Sequence, residues 1–144
     1  MARSFHCSIV TPAKAVFDGQ VDYVSFQAWD GQMGVLAGQS AVLSKLGIGS
    51  VRLDCADGQS KWYLVDGGFA QAADGQLSLI TERAIAAEKL SLEEARAELA
   101  EAAARIATAG PELAKVEHDQ QFALAKKALA EMMGGRGATA SAAG

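Results

Sequence analysis

The chain is short of basic charge: 13 Lys and Arg stand against 17 Asp and Glu over 144 residues, for a net charge of −4. That removes the electrostatic reason to expect nucleic acid, which requires a basic face. Cysteine is scarce as well. Cys7 and Cys55 are too few for a disulfide scaffold at this length, and they are expected as small buried hydrophobes rather than as a metal or redox pair. Histidine occurs twice. His6 and Cys7 are strand neighbours that point to opposite faces. His118 has no His or Cys four residues away to complete a metal site, and its surroundings read as a solvated helix face. No apolar run approaches the roughly 20 residues of a membrane span. The first residues carry neither a signal-peptide core nor an Arg-rich amphipathic stretch. The chain is therefore expected to be soluble and cytosolic, with membrane association only through a partner. There is no phosphate-binding loop, no G-x-S-x-G and no paired-carboxylate arrangement. Gly67-Gly68 is not followed by a helix, so it is no dinucleotide fingerprint. No catalytic residue, metal or cofactor is expected, and what remains is a chain built to bind partners.

What is present divides in two. Glycine punctuates residues 19–75 and is absent from 76–109. The triplet Asp-Gly-Gln occurs at Asp18, Asp30, Asp57 and Asp74, and Asp-Gly between alternating segments is a strong hairpin signal, because both residues tolerate positive φ. Strands are expected over 5–10, 15–17, 21–28, 50–55, 60–65, 69–73 and 77–80. In the fourth of these, Val51, Leu53 and Cys55 share one face and Arg52 and Asp54 the other. In 21–28 the alternation is imperfect. Many short strands joined by Gly turns argue for an all-β antiparallel sandwich over residues 1–83. The glycine-rich stretch 30–51 reads as chain that folds back repeatedly.

Residues 84–133 are rich in Ala, Glu, Leu and Lys, all good helix formers, and form an expected α-helical antiparallel hairpin. Ser91 can cap the first helix while Glu94 closes a capping box. Leu92, Ala95, Leu99, Ala102 or Ala103, and Ile106 make its apolar stripe. Gly110 is expected to close that helix and Pro111 to open the second, over 112–133. At 100° per residue Leu113, Val116 and Leu124 group on one face of the second helix, with Phe122, Leu129 and Met133 nearly opposite. One face can pack on the first helix, and the other is left for the sandwich or for another protein. Alanine dominates both helices, so the seam between them is thin and the hairpin can open. Residues 134–144 read as a flexible Gly/Ala/Ser-rich tail.

Four segments then carry a resemblance: Ile9-Val10-Thr11-Pro12, Val16-Phe17-Asp18-Gly19, Asp30-Gly31-Gln32-Met33-Gly34-Val35-Leu36-Ala37-Gly38, and Tyr63-Leu64-Val65-Asp66-Gly67-Gly68-Phe69. In order and spacing they resemble the epsilon subunit of F-type ATP synthase across about residues 5–133. The resemblance implies a non-catalytic central-stalk subunit of a proton-driven synthase, peripheral on the cytoplasmic face of the bacterial plasma membrane. Its sandwich would bind the gamma subunit and the c ring. Its hairpin would extend to the catalytic alpha and beta subunits and inhibit ATP hydrolysis, through Phe122, Lys126, Lys127 and Leu129. Asp30, Gln32, Gln39 and Ser40 fall where the family meets the c ring, although Gln32 replaces an acid, Gln39 a histidine, Ser40 an alanine and Ala41 a proline. An alternative is a nucleotide-sensing module whose hairpin closes around ATP. Its motif in some members, I/L-D-x-x-R-A, aligns on Leu92-Glu93-Glu94-Ala95-Arg96-Ala97, which makes Glu93 and Arg96 the nucleotide candidates, with Glu one methylene longer than Asp.

Overall fold

The computed structural model describes residues 4–28, 31–36, 42–107 and 109–143, with Ala28, Gln32, Met33, Val35, Leu36, Val42 and residues 135–143 described by backbone alone. The chain separates into two compact units, residues 1–86 and 87–144.

The first unit holds seven strands: β1 (Phe5–Val10), β2 (Ala15–Ala28), β3 (Gly31–Leu36), β4 (Val42–Cys55), β5 (Ser60–Ala73), β6 (Gln76–Ile80) and β7 (Ala84–Ala86). Hydrogen-bonded neighbours run β1-β6-β5-β4-β2-β3, with β7 on β5, and β1 also pairs β2. Two of the three 14-residue strands change partners along their length. β2 leaves β1 at Val21 to join β3 and β4, while β5 pairs β7 at Tyr63–Val65 and β6 from Phe69 on. β4 keeps β5 beside it from Val42 to Asp54. All pairings are antiparallel except β1 with β6, which is parallel and brings the first strand against the last long hairpin.

The core follows the alternation read from the sequence. Val51 and Leu53 are fully buried and Cys55 nearly so, packed with Ile9, Phe26, Leu77 and Leu79. The imperfect phase of 21–28 has a cause. A register shift between Val21 and Tyr23 lets both Val21 and Val24 face inward, three residues apart.

Two of the expected turns are strand instead. Asp18-Gly19 lies inside β2, because β1 supplies its ladder partners, Ser8 and Cys7. Gly47 and Gly49 lie inside β4, so the described residues of the stretch 30–51 are β3 and the first part of one long strand, and the rest of that stretch lies outside the described residues. The change of direction falls on β5, where Gly67 and Gly68 have φ of +69° and +107°. A Cβ at Gly68 would overlap the Ile80 carbonyl and come within 2.9 Å of Thr81 Cα, so both backbone angle and space demand glycine there. The expected turn at Asp74-Gly75 is as read: both have positive φ, and Ala73 pairs Gln76 directly across it.

The second unit opens with a 3-10 turn (Ala87–Lys89), followed by α1 (Leu92–Ala104) and α2 (Gly110–Ala143). Ser91 caps α1, its hydroxyl accepting from the Glu94 amide at 3.3 Å. Gly110 does not close α1. The helix stops at Ala104, and Arg105 follows in an extended conformation with its amide on the Ala102 carbonyl. Ile106 is thus off the helix and 91% exposed, outside the stripe expected for it. Gly110, at φ +75°, begins α2 and Pro111 occupies its first turn. α2 continues past Met133 to Ala143, through the segment read as a tail. No proline follows Pro111, and Ala138, Ala140, Ala142 and Ala143 favour helix.

Candidate functional site

In the helical unit, the groups with chemistry lie along the α1–α2 seam. Ala95 and Ala102 of α1 and Ala123 and Ala130 of α2 are buried. Alanine brings the helices close but offers one methyl each, so charged groups flank the seam. Lys126 reaches across to Glu98, its Nζ donating to both carboxylate oxygens at 2.9 Å. The Lys126 side chain is only 14% exposed. Arg105 donates to Asp119 at 2.6 Å and lies 3.4 Å from Glu101. Gln120 caps the free end of α1 by donating to the Ala102 carbonyl at 3.0 Å. The Arg105 guanidinium, and next the His118 ring 3.1 Å away, hold the Asp119 carboxyl below its ordinary range, and that same contact with Asp119 raises Arg105. The His118 ring also stacks on Phe122, at 6.4 Å between centroids.

The helical wheel had two apolar faces and could not assign them. Phe122 and Leu129 are buried, while Leu124, on the opposite face, is 57% exposed. Of the residues that the resemblance marks for inhibition, Phe122 and Leu129 are buried, Lys126 is paired with Glu98, and Lys127 lies 3.6 Å from Glu131 one turn on. Glu93 and Arg96 are both exposed on α1, three residues apart on a solvent-facing surface.

In the sandwich, Gln32 lies in β3 with its backbone opposite Gln27 of β2. Asp30, Gln39 and Ser40 fall outside the described residues. On β4, β5 and β6 the sequence reading missed a surface. Leu43 is 73%, Phe69 52% and Ile80 51% exposed. Phe69 pairs both Lys45 and Ile80, and Leu43 lies two residues from Lys45, so the three side chains share one outer face. The signal was present: in 69–73 and 77–80 the buried set is Ala70, Ala72, Leu77 and Leu79, and alternation puts Phe69 and Ile80 on the other face. An exposed apolar patch of this kind marks a surface for another protein.

The two thiols belong to neither surface. Both are free and buried, and burial pushes Cys7 up to about 12 and raises Cys55, so neither is a nucleophile at neutral pH. His6 bonds Asp18 across β1 and β2 at the surface. Among the described residues no three His, Cys, Asp or Glu gather as a metal site, and no helix is long and apolar enough to cross a membrane.

Comparison with known proteins agrees with this division. Residues 4–87 match the family model described as ATP synthase, Delta/Epsilon chain, beta-sandwich domain. An ATP synthase epsilon chain of Nitratidesulfovibrio vulgaris is 37% identical over 132 residues, 92% of this chain and 96% of that one. One from Rhodopirellula baltica is 39% identical over 99 residues, 69% of this chain and 77% of its own. Among solved structures, a chain of the Euglena gracilis mitochondrial ATP synthase superposes with a TM-score of 0.77 at 22% identity, covering 87% of this chain and 80% of that one. A chain from the Tetrahymena thermophila mitochondrial ATP synthase central stalk and c ring gives 0.63 at 15%, covering 89% and 97%. The two structures share the fold, the Nitratidesulfovibrio vulgaris relative shares sequence over nearly the whole chain, and the chain belongs to the family of ATP synthase epsilon chains.

Proposed function

We propose that this chain is a non-catalytic central-stalk subunit of a proton-driven F-type ATP synthase on the cytoplasmic face of a bacterial plasma membrane. In this reading it couples rotation of the c ring to ATP synthesis and restrains ATP hydrolysis through its hairpin. The observation that carries it is the match to a bacterial epsilon chain over 96% of that chain's length, hairpin included. The chemistry is consistent with a binding role. The thiols are buried, and several of the charged side chains are held in ion pairs. The outer face of Leu43, Phe69 and Ile80 is a fitting surface for the gamma subunit. The segment that carries Asp30, Gln32, Gln39 and Ser40 is assigned to the c ring.

The inhibitory contact requires an open hairpin. Phe122 and Leu129 are buried and Lys126 is held by Glu98 in the described state, so none can meet the alpha and beta subunits until α1 and α2 separate. Hydrolysis by a complex reconstituted with the Lys126→Glu, Lys127→Glu variant tests this. Relief of inhibition is expected, and hydrolysis unchanged from that with the native chain would count against it. Synthesis driven by a proton gradient in sodium-free vesicles tests the coupling ion.

A further inference from the structure

The hairpin has a feature that its apolar residues do not account for. Glu98 and Arg105 are seven residues apart on the first arm, and Asp119 and Lys126 are seven apart on the second. The two cross-helix ion pairs, Glu98–Lys126 and Arg105–Asp119, are thus one antiparallel register repeated about 10 Å further along. Buried beside them on the two helices are the methyl groups of Ala95, Ala102, Ala123 and Ala130 and, on α2, the larger Phe122 and Leu129. We propose that these two pairs are an electrostatic latch: they hold the hairpin closed, and while closed Glu98 masks the Lys126 ammonium from any acidic partner. The masking half rests on the inhibitory role given above, and the latch itself does not.

Three observations support it. Lys126 is bound by both oxygens of one carboxylate and is largely shielded, which lifts the pair above an ordinary surface contact. Arg105 leaves the helix at its cap, and from there it reaches Asp119. The two pairs also have opposite polarity, acid then base on α1 and base's partner then base on α2, so a hairpin slipped by seven residues would set Glu98 against Asp119 and lose both. Closure of this kind weakens as salt screens charge, whereas closure by apolar burial does not.

The test uses hydrogen exchange of α1 and α2 amides in the full-length chain, for Glu98→Gln, Lys126→Gln, the double variant and the swap Glu98→Lys, Lys126→Glu. Each single change is expected to lower protection about threefold, the scale of a well-formed ion pair. The double variant should lose no more than either single one, the swap should recover protection, and added salt should lower protection more in the native chain and the swap than in the variants that lack the Glu98–Lys126 pair. Glu131→Gln, which removes an i,i+4 contact within α2, should leave α1 unchanged. Additive losses, or no salt effect, would overturn the latch. Hydrolysis by the reconstituted complex separates the two ideas. Glu98→Gln should deepen inhibition by freeing Lys126. Non-additive exchange with hydrolysis unmoved would uphold the latch and overturn the inhibitory reading.

Discussion

The sandwich and the hairpin are stabilised by different physics. The sandwich buries a continuous cluster of Val, Leu, Ile and Phe from every long strand, with Phe26, Leu53 and Leu79 fully enclosed. Burial of this kind is non-directional and nearly indifferent to salt. The hairpin buries four alanines along its seam, with Phe122 and Leu129 its two large buried side chains among the described residues, and sets charges across it. At roughly 0.8 kcal/mol per buried CH₂ the alanine seam supplies a fraction of what leucines would. One unit is therefore a fixed body and the other a conditional one. The role proposed above, gripping a rotor and releasing an arm, would draw on both kinds in one chain.

Three variants sharpen that contrast, the largest effect first. Gly68→Ala combines a left-handed backbone angle with a Cβ pressed into the Ile80 carbonyl. It should cost the sandwich more than roughly 4 kcal/mol, the scale reserved for strained or overpacked sites. Chemical denaturation followed by Trp62 fluorescence measures it, and a loss below roughly 1 kcal/mol would mean that β5 can move away from Ile80. Ser91→Ala removes the α1 cap and should cost the hairpin about 1 kcal/mol. It would appear as faster exchange in the first turn of α1 with strand amides unaffected.

The smallest effect is one of pH. Asp119 is held below its ordinary value of 3.8, first by the bond from Arg105 and then by His118. A carboxylate depressed in the folded state contributes stability that is present above its unfolded pKa and lost as pH falls through the folded one. Hairpin stability should therefore decline on the acid side, below the ordinary carboxylate range, and Asp119→Asn should flatten that decline. Helicity followed by circular dichroism between neutral and acid pH reads the difference. An acid limb identical in the variant would remove Asp119 from the account.

Much of the fold was legible. Alternation placed Val51, Leu53 and Cys55 inside, Asp74-Gly75 as a turn, and Ser91 as a cap, because each depends on a few neighbouring residues. The errors share a cause. Asp18-Gly19 has the chemistry of a turn, but strand β1 gave it a ladder instead. Gly110 has the chemistry of a cap, but Arg105 left the helix first and reached Asp119. In both cases a partner far along the chain outweighed a local preference.

The candidate surfaces divide the same way. Resemblance named Lys126 and Phe122, yet which face of α2 is covered was open, since two apolar clusters on one helix are equivalent until something packs on one of them. The patch of Leu43, Phe69 and Ile80 draws on three strands whose register no short window contains.

By itself the sequence determined the two-part plan, the inward face of each strand, the start of α1 and the family. Those depend on composition, period and motif, which are local or inherited along the chain. Only the tertiary structure decided that β1 lies parallel to β6, that Phe122 and Leu129 are covered, and that Glu98 holds Lys126. Each of these is a contact between residues far apart in sequence. Its free energy comes from a register that exists only once the chain has folded.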